Sequence, residues 1–324
     1  MTTTTDAPQF KAKDFQQPHA NDWCPGCGDF GILNSMHQAC SKLGRAPSDV
    51  VVVGGIGCSS KAPYYFGTYG VHTLHGRPIP FGTGMKLANP ELTVLITGGD
   101  GDGLGIGAGH FVNAGRRNVD ITYVMFNNEV YGLTKGQAAP TLAMGMQTKS
   151  LAEPNIQMQL NPLVMAMASG FTWIGRGYSY NVKQLVDLMS QAIAHPGLAF
   201  LDVLQPCPTY NNLHTKDWFS GKDLEEPQMR PRPLPEEYDP VVPEGADESA
   251  VFDKMHEFNK MANEWGDYIP TGVYYENRAI SSFEQRIAAR MLRYPGENPA
   301  NLQIEQDGDA RADLTSFFEE LSVS

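Results

Sequence analysis

The chain lacks any run of basic residues. Its 24 lysines and arginines are outnumbered by 36 aspartates and glutamates, for a formal net charge of −12. A surface of that sign repels nucleic acid and anionic membrane, so neither is expected as a partner. No apolar stretch is long enough to cross a bilayer. The first nine residues are Thr-rich and polar, without the apolar core of a secretory signal. The expectation is a cytoplasmic protein with reduced thiols. Cysteine is scarce and odd in number, five in 324 residues. In a reducing compartment that favours a metal centre over a disulfide framework. No internal repeat is visible.

What is present is an alternation of apolar runs and amphipathic segments. Residues 50–53, 92–96, 121–126, 171–174 and 198–204 read as buried strands, β-prone and bounded by turn residues. Helices are expected over 30–43, 82–89, 103–115, 161–169 and 182–194, the first capped by Asp29 and stopped by Gly44. Such alternation predicts an α/β fold with a doubly wound, mostly parallel sheet. Residues 1–21 read as a wrapping arm, 64–81 as aromatic and turn-rich, and 136–158 as a loop over the site. A body over 1–220 is expected to be followed by an extension over 221–324. That extension reads as a Pro- and acid-rich linker, then helices over 250–263, 280–292 and 310–321.

The organising stretch runs from Thr97 to Thr134. It opens Gly98-Gly99-Asp100-Gly101-Asp102-Gly103 and closes Asn127-Asn128-Glu129-Val130-Tyr131-Gly132-Leu133-Thr134, each after a strand. Glycines at a strand end let backbone approach a phosphate, and the following helix terminus favours an anion. An acid inside such a loop repels phosphate unless a cation lies between them. Mg²⁺ takes carboxylates together with substrate phosphates, so Asp100 and an amide oxygen of the second loop can clamp one ion. Gly-Asp-Gly followed by Asn-Asn resembles the diphosphate-binding signature of the thiamine diphosphate fold. That resemblance gives Asp100, Asn128 and the Val130 carbonyl as metal ligands.

Four cysteines lie in glycine- or proline-bearing turns: Cys24 and Cys27 in Trp23-Cys24-Pro25-Gly26-Cys27-Gly28, Cys58 after β-prone residues 50–53, and Cys207 after 198–204. Cys40 shares a helical face with Leu33, Met36 and Leu43 and reads as core. Four thiolates can hold either Zn²⁺ or a [4Fe-4S] cluster, and spacing leaves both open. A redox pair plus two core cysteines is the blander alternative.

Taken in order, the Trp-Cys-Pro-Gly-Cys-Gly turn, Gly55-Ile56-Gly57-Cys58-Ser59-Ser60, Leu74-His75-Gly76-Arg77, the Gly-Asp-Gly loop, residues 127–137 and Pro206-Cys207-Pro208-Thr209-Tyr210-Asn211 closely resemble the β subunits of 2-oxoacid:ferredoxin oxidoreductases. The likeness covers most of residues 22–216; no motif extends it beyond 221. It implies one [4Fe-4S] cluster on Cys24, Cys27, Cys58 and Cys207, and thiamine diphosphate with Mg²⁺ on Asp100, Asn128 and Val130. Contacts to that cofactor are expected from Ile56, Gly57, Cys58, Ser59, His75, Gly76, Gly101, Asp102, Asn128, Gly132, Leu133 and Thr134. His75 is expected at the reacting groups, Lys61 on the substrate carboxylate. The implied reaction is CoA-dependent oxidative decarboxylation of a 2-oxoacid, with electrons passing to ferredoxin. The segment Gly132 to Gln137 is similar to that of the 2-oxoglutarate and broad-specificity members, and Lys135 is available to a distal carboxylate. A separate α subunit is expected to supply the pyrimidine-binding domain and its activating glutamate, in a dimer of αβ heterodimers. An iron-free thiamine enzyme or a zinc-stabilised scaffold remains the competing expectation.

Overall fold

A computed structural model describes residues 10–311 and 314–321. Nine strands form one sheet: β1 (Val50–Gly54), β2 (Tyr69–His72), β3 (Thr93–Gly99), β4 (Thr122–Asn127), β5 (Trp173–Tyr178), β6 (Ala199–Leu204), β7 (Pro231–Pro233), β8 (Val241–Val242) and β9 (Ile269–Asn277). The helices that cover it are α1 (Asp29–Lys42), α2 (Pro78–Ala88), α3 (Ala108–Arg117), α4 (Pro162–Ser169), α5 (Val182–Ala194) and α6 (Glu248–Ala262).

Six strands run parallel in the order β2-β1-β3-β4-β6-β5. β1 is buried along its whole length, and its alternate residues serve opposite layers. Val50 and Val52 join Ile32 and Met36 of α1 and Leu185 and Leu188 of α5. Val51 and Val53 join Ile79 of α2, Phe111 of α3, Ala166 of α4 and Phe258 of α6. Helices on both faces of a mostly parallel sheet are the doubly wound architecture expected from the alternation. The order reverses between β1 and β3, since the chain leaves β1 for β2 on one side and crosses to β3 on the other. Ligands of such sheets lie outside the strand carboxyl ends at that switch point. Gly54 is in register with both His72 and Thr97, so β1 and β2 end at one level and β3 runs two residues further, to Gly99.

Several elements differ from the sequence reading. The helix expected over 103–115 is broken: Gly101–Ile106 forms a wide turn, Gly105 leaves helical backbone (φ −81°, ψ −106°), and α3 starts only at Ala108. The Gly107 N–H reaches back to the Asp102 carbonyl (3.1 Å), the five-residue spacing of a π-bulge. Strand β5 continues past the expected end at Ile174 through Gly175-Arg176-Gly177, pairing with β6 on one side and β9 on the other. The turn-rich stretch 64–81 contains β2, an exposed edge strand.

The extension over 221–324 is not a linker with helices alone. β9 adds antiparallel to β5, β7 and β8 pair with β9, and Phe258 of α6 packs 6.0 Å from the Tyr274 ring. Pro270 and Gly272 hide β9 in the sequence by interrupting its alternation. The helix expected over 280–292 is Phe283–Ala288, and that over 310–321 is Thr315–Leu321, with residues 312 and 313 outside the described ones. Of the amino-terminal arm, residues 1–9 also lie outside them; beyond, Phe15 is fully buried 5.9 Å from Phe66.

The first turn of α1 is seated by a close approach. A Cβ on Gly31 would lie 2.0 Å from the Ser179 carbonyl oxygen, just after β5. Gly→Ala in a helix ordinarily gains stability. Here Gly31→Ala is expected to lose about 1–3 kcal/mol to overpacking. A lowered thermal midpoint supports this seating, and an unchanged or raised one shows that α1 stands off from Ser179.

Candidate functional site

Three loops meet at the switch point, and the Asp102 side chain joins them. Its Oδ1 accepts from the Ile56 N–H (2.9 Å), the Gly76 N–H (2.7 Å) and His75 Nδ1 (2.7 Å). The carboxylate is 2% exposed, so these donors replace water that it cannot reach. With Nδ1 committed, Nε2 is the free nitrogen of the His75 ring.

Between the loops lies a crevice of about 100 Å³. Its walls include Ile56, Gly57, Cys58, Ser59, His75, Asp100, Gly101, Asp102, Asn128, Val130, Gly132, Leu133 and Thr134. The fold therefore brings the residues of four separate motifs into one place. Gly76 joins them through Asp102. Lys61 does not: its Nζ pairs with Asp22 Oδ2 (2.7 Å) on a different cavity.

Asp100 differs from Asp102 two residues on. It is 1% exposed, its Oδ2 takes only the Thr141 hydroxyl (2.5 Å), and its Oδ1 has no protein partner. Burial pushes its carboxyl up to about 7, and the Glu129 charge adds to the rise. Asn128 is oriented on both sides: Oδ1 accepts from the Val130 N–H (3.1 Å) and Nδ2 donates to Gln205 Oε1 (2.7 Å). An amide oxygen has two lone pairs, so one remains. Glu129 between them has left-handed backbone (φ 66°), uncommon for a non-glycine residue. It is held there by Asn211 Nδ2 (2.9 Å) and His214 Nδ1 (2.5 Å) on Oε2. An unpartnered carboxylate oxygen and an oriented amide oxygen at one crevice fit a hard divalent cation with a phosphate ligand.

The four turn cysteines line a second cavity, of about 190 Å³, with Trp23, Asp29 and Lys61. All are free thiols. The Cys24 turn closes with the Cys27 N–H on the Cys24 carbonyl (3.0 Å), and Tyr180 donates to the Gly26 carbonyl (2.5 Å). Trp23 Nε1 donates to the Cys58 carbonyl (2.8 Å), tying the first turn to the second. Burial pushes the Cys58 thiol up to about 12 and raises Cys27 and Cys207 as well. Such thiols keep their protons until a cationic centre displaces them. Among the described residues no three His, Cys, Asp or Glu side chains meet closely enough to hold a single metal ion. The thiols surround a space rather than meet at a point. Cys40 is buried on α1, outside this set.

The two cavities share a wall made of Cys58, Asn128, Gly132 and Leu133. Gly132 lies against both thiols: a Cβ there would make ordinary contact with Cys58 Sγ (3.6 Å) and Cys207 Sγ (3.9 Å). Behind the crevice a third cavity, of about 280 Å³, is lined by Asn127, Glu129, Thr141, Arg176, His214 and Trp265 among others. None of these six was singled out in the sequence for a role of its own. Only the motif that contains Asn211 hinted at the contacts made on Glu129.

A family model described as the C-terminal thiamine pyrophosphate-binding domain of thiamine pyrophosphate enzymes matches residues 55–203. A second, described as the C-terminal part of pyruvate ferredoxin oxidoreductase beta subunits, matches residues 207–290. The chain is 50% identical over 310 residues to the 2-oxoacid:ferredoxin oxidoreductase subunit beta of Saccharolobus solfataricus, covering 94% of this chain and 97% of that one. It is 43% identical over 209 residues to the 2-oxoglutarate oxidoreductase subunit KorB of Mycobacterium tuberculosis, covering 64% of this chain and 56% of the other. The solved 2-oxoglutarate:ferredoxin oxidoreductase of Magnetococcus marinus, with 2-oxoglutarate, coenzyme A and succinyl-CoA bound, superposes with a TM-score of 0.80. There the identity is 31%, and 98% of each chain is covered. With the crevice and the cysteine cavity in place on this sheet, the chain belongs to the β subunits of the 2-oxoacid:ferredoxin oxidoreductases.

Proposed function

We propose that the chain is the β subunit of an enzyme that oxidatively decarboxylates 2-oxoglutarate to succinyl-CoA and CO₂, with electrons leaving to ferredoxin. The observation that carries the reading is the shared wall: a diphosphate-type crevice and a four-thiol cavity separated by Cys58, Asn128, Gly132 and Leu133. Bound thiamine diphosphate supplies a carbon nucleophile and an electron sink, and a [4Fe-4S] cluster beside it supplies a one-electron acceptor.

The residues divide as follows. Asp100 Oδ1, Asn128 Oδ1 and the Val130 carbonyl hold Mg²⁺. Backbone of Ile56 to Ser59, Gly101, Asp102, Gly132, Leu133 and Thr134 lines the diphosphate, and His75 offers Nε2. Cys24, Cys27, Cys58 and Cys207 hold the cluster. Thiols that wall a space suit the corners of a cluster better than one tetrahedral ion. The 2-oxoglutarate assignment is supported by the relative from Mycobacterium tuberculosis and the neighbour from Magnetococcus marinus; Lys135, exposed in the turn after Thr134, can meet a distal carboxylate. A broad 2-oxoacid preference is the second reading, supported by the name of the 50% identical relative.

A crevice of about 100 Å³ is small for a whole cofactor. Leu74, Ile106 and Leu133 stand 70%, 56% and 47% exposed on the loops after β2, β3 and β4. An apolar rim on a half-sized pocket supports an α subunit that closes over the other end of the cofactor.

The test is the αβ complex purified without oxygen, given 2-oxoglutarate or pyruvate with coenzyme A and a one-electron dye. Dye reduction and bleaching of the visible absorbance that depend on 2-oxoglutarate support the assignment. Equal rates with pyruvate favour the broad reading, and a colourless or substrate-indifferent protein overturns both. Asp100→Ala is expected to lose thiamine diphosphate while iron and sulfide content stay as in the wild type. Retained cofactor and turnover would show that Asp100 is not the metal carboxylate.

The Asp100 carboxyl also sets a pH dependence. With its value held near 7 before the metal binds, a proton competes with Mg²⁺ below neutrality. The Mg²⁺ midpoint at pH 6 is expected about tenfold above that at pH 8. A flat profile measured by calorimetry would place the metal elsewhere.

A further inference from the structure

The crevice shows what Asp100 faces, and a buried chain of hydrogen bonds behind it shows what holds it. The Thr141 hydroxyl lies 2.5 Å from Asp100 Oδ2 and 2.9 Å from Asn127 Oδ1. Asn127 Nδ2 donates to Asp202 Oδ1 (3.0 Å), and Arg176 Nε donates to Asp202 Oδ2 (2.8 Å). The guanidinium lies 5.7 Å from the Trp265 ring and 5.9 Å from that of Tyr274. All four relay residues are buried, Asp202 and Arg176 almost completely.

They come from β4, β5, β6 and the loop after Pro140, so the chain of bonds crosses the core beneath the crevice. A buried ion pair is weak evidence for stability, because apolar residues of the same volume are often as stable. This one ends on a crevice carboxylate whose other oxygen, like Oδ2 of Asp102, is buried without a protein partner. Arg176 fixes Asp202, Asp202 fixes the Asn127 amide with Oδ1 toward Thr141, and Thr141 is left between two acceptors. Its hydroxyl has one proton, and the charged carboxylate is the stronger acceptor. Oδ2 is thereby occupied from behind, and Oδ1, buried and without a protein partner, is the oxygen presented to a cation.

We infer that Thr141 is a positioning residue of the metal site, holding Asp100 through Oδ2, and that the Asn127–Asp202–Arg176 relay sets its orientation. The inference rests on the reading of Asp100 as the metal carboxylate. It assigns the first asparagine of the Asn-Asn pair to the support of the site and the second to the ion.

The test uses the αβ complex, stripped of cofactor with a chelator and titrated with Mg²⁺ at saturating thiamine diphosphate in a calorimeter. Thr141→Val keeps the shape and removes the hydroxyl. Its Mg²⁺ midpoint is expected to rise about 10- to 100-fold, the loss that goes with a hydrogen bond to a charged group. The cluster absorbance of the cofactor-free complex is expected to stay unchanged. Thr141→Ala, which asks for no extra room, is expected to match it, and Thr141→Ser to restore wild-type binding. An unchanged Mg²⁺ midpoint in both the valine and alanine variants, or a serine variant as weak as valine, overturns the positioning role. A wild-type complex that binds thiamine diphosphate without Mg²⁺ overturns the metal reading instead.

Discussion

One buried oxygen holds the crevice together. Asp102 Oδ1 collects donors from Ile56, His75 and Gly76, and so ties the loop after β3 to those after β1 and β2. Ordering a loop costs about 1–2 kcal/mol of backbone entropy per residue, and these loops have little apolar surface with which to offset it. A charged acceptor shielded from water is one of the few groups strong enough to do so. The register of β1 with its two neighbours makes the knot possible, because β1 and β2 end level at Gly54 and His72 and β3 ends only two residues beyond Thr97. Cofactor loop, cysteine loop and histidine loop are thus one mechanical unit.

Asp100 and Asp102 sit two residues apart and are partnered differently. Asp102 Oδ1 takes three donors, whereas Asp100 has one donor on Oδ2 and none on Oδ1; Oδ2 of Asp102 is likewise without a partner. Burial raises the Asp100 carboxyl to about 7, and the Glu129 charge adds to the rise. In the cysteine cavity burial raises Cys27, Cys58 and Cys207. Lys61, paired with Asp22, lowers Cys58 by less than burial raises it. In both cavities burial is the leading influence on the acidic groups.

Much of this was legible in the sequence where the signal is local. Apolar runs broken by glycine loops predict the parallel sheet, and turn chemistry marks Cys24, Cys27, Cys58 and Cys207 without reference to their partners. What was not legible depends on residues far apart in the chain. Thr141 meets Asp100 across 41 positions, Asp202 meets Asn127 across 75, and His214 meets Glu129 across 85. No spacing rule links such pairs. Lys61 illustrates the converse: nearness to Cys58 in sequence suggested the crevice, but the turn Ser59–Lys61 carries it to the other side, against Asp22. Strand β9 was hidden for a different reason, since tertiary pairing overrides the turn propensity of Pro270 and Gly272.

The shared wall also explains why the site is incomplete on one chain. A crevice at the switch point is bounded below by strand ends and on its sides by the three loops, and its remaining side must stay open for a cofactor to enter. The amino-terminal turn forms part of the four-thiol cavity through Trp23 and Cys24, and Leu133 lines both cavities. The exposed Leu74 and Ile106 stand on the loops after β2 and β3. On the proposed reading, Cys58 in the shared wall would set an electron-accepting centre directly beside the cofactor crevice, whichever 2-oxoacid is taken.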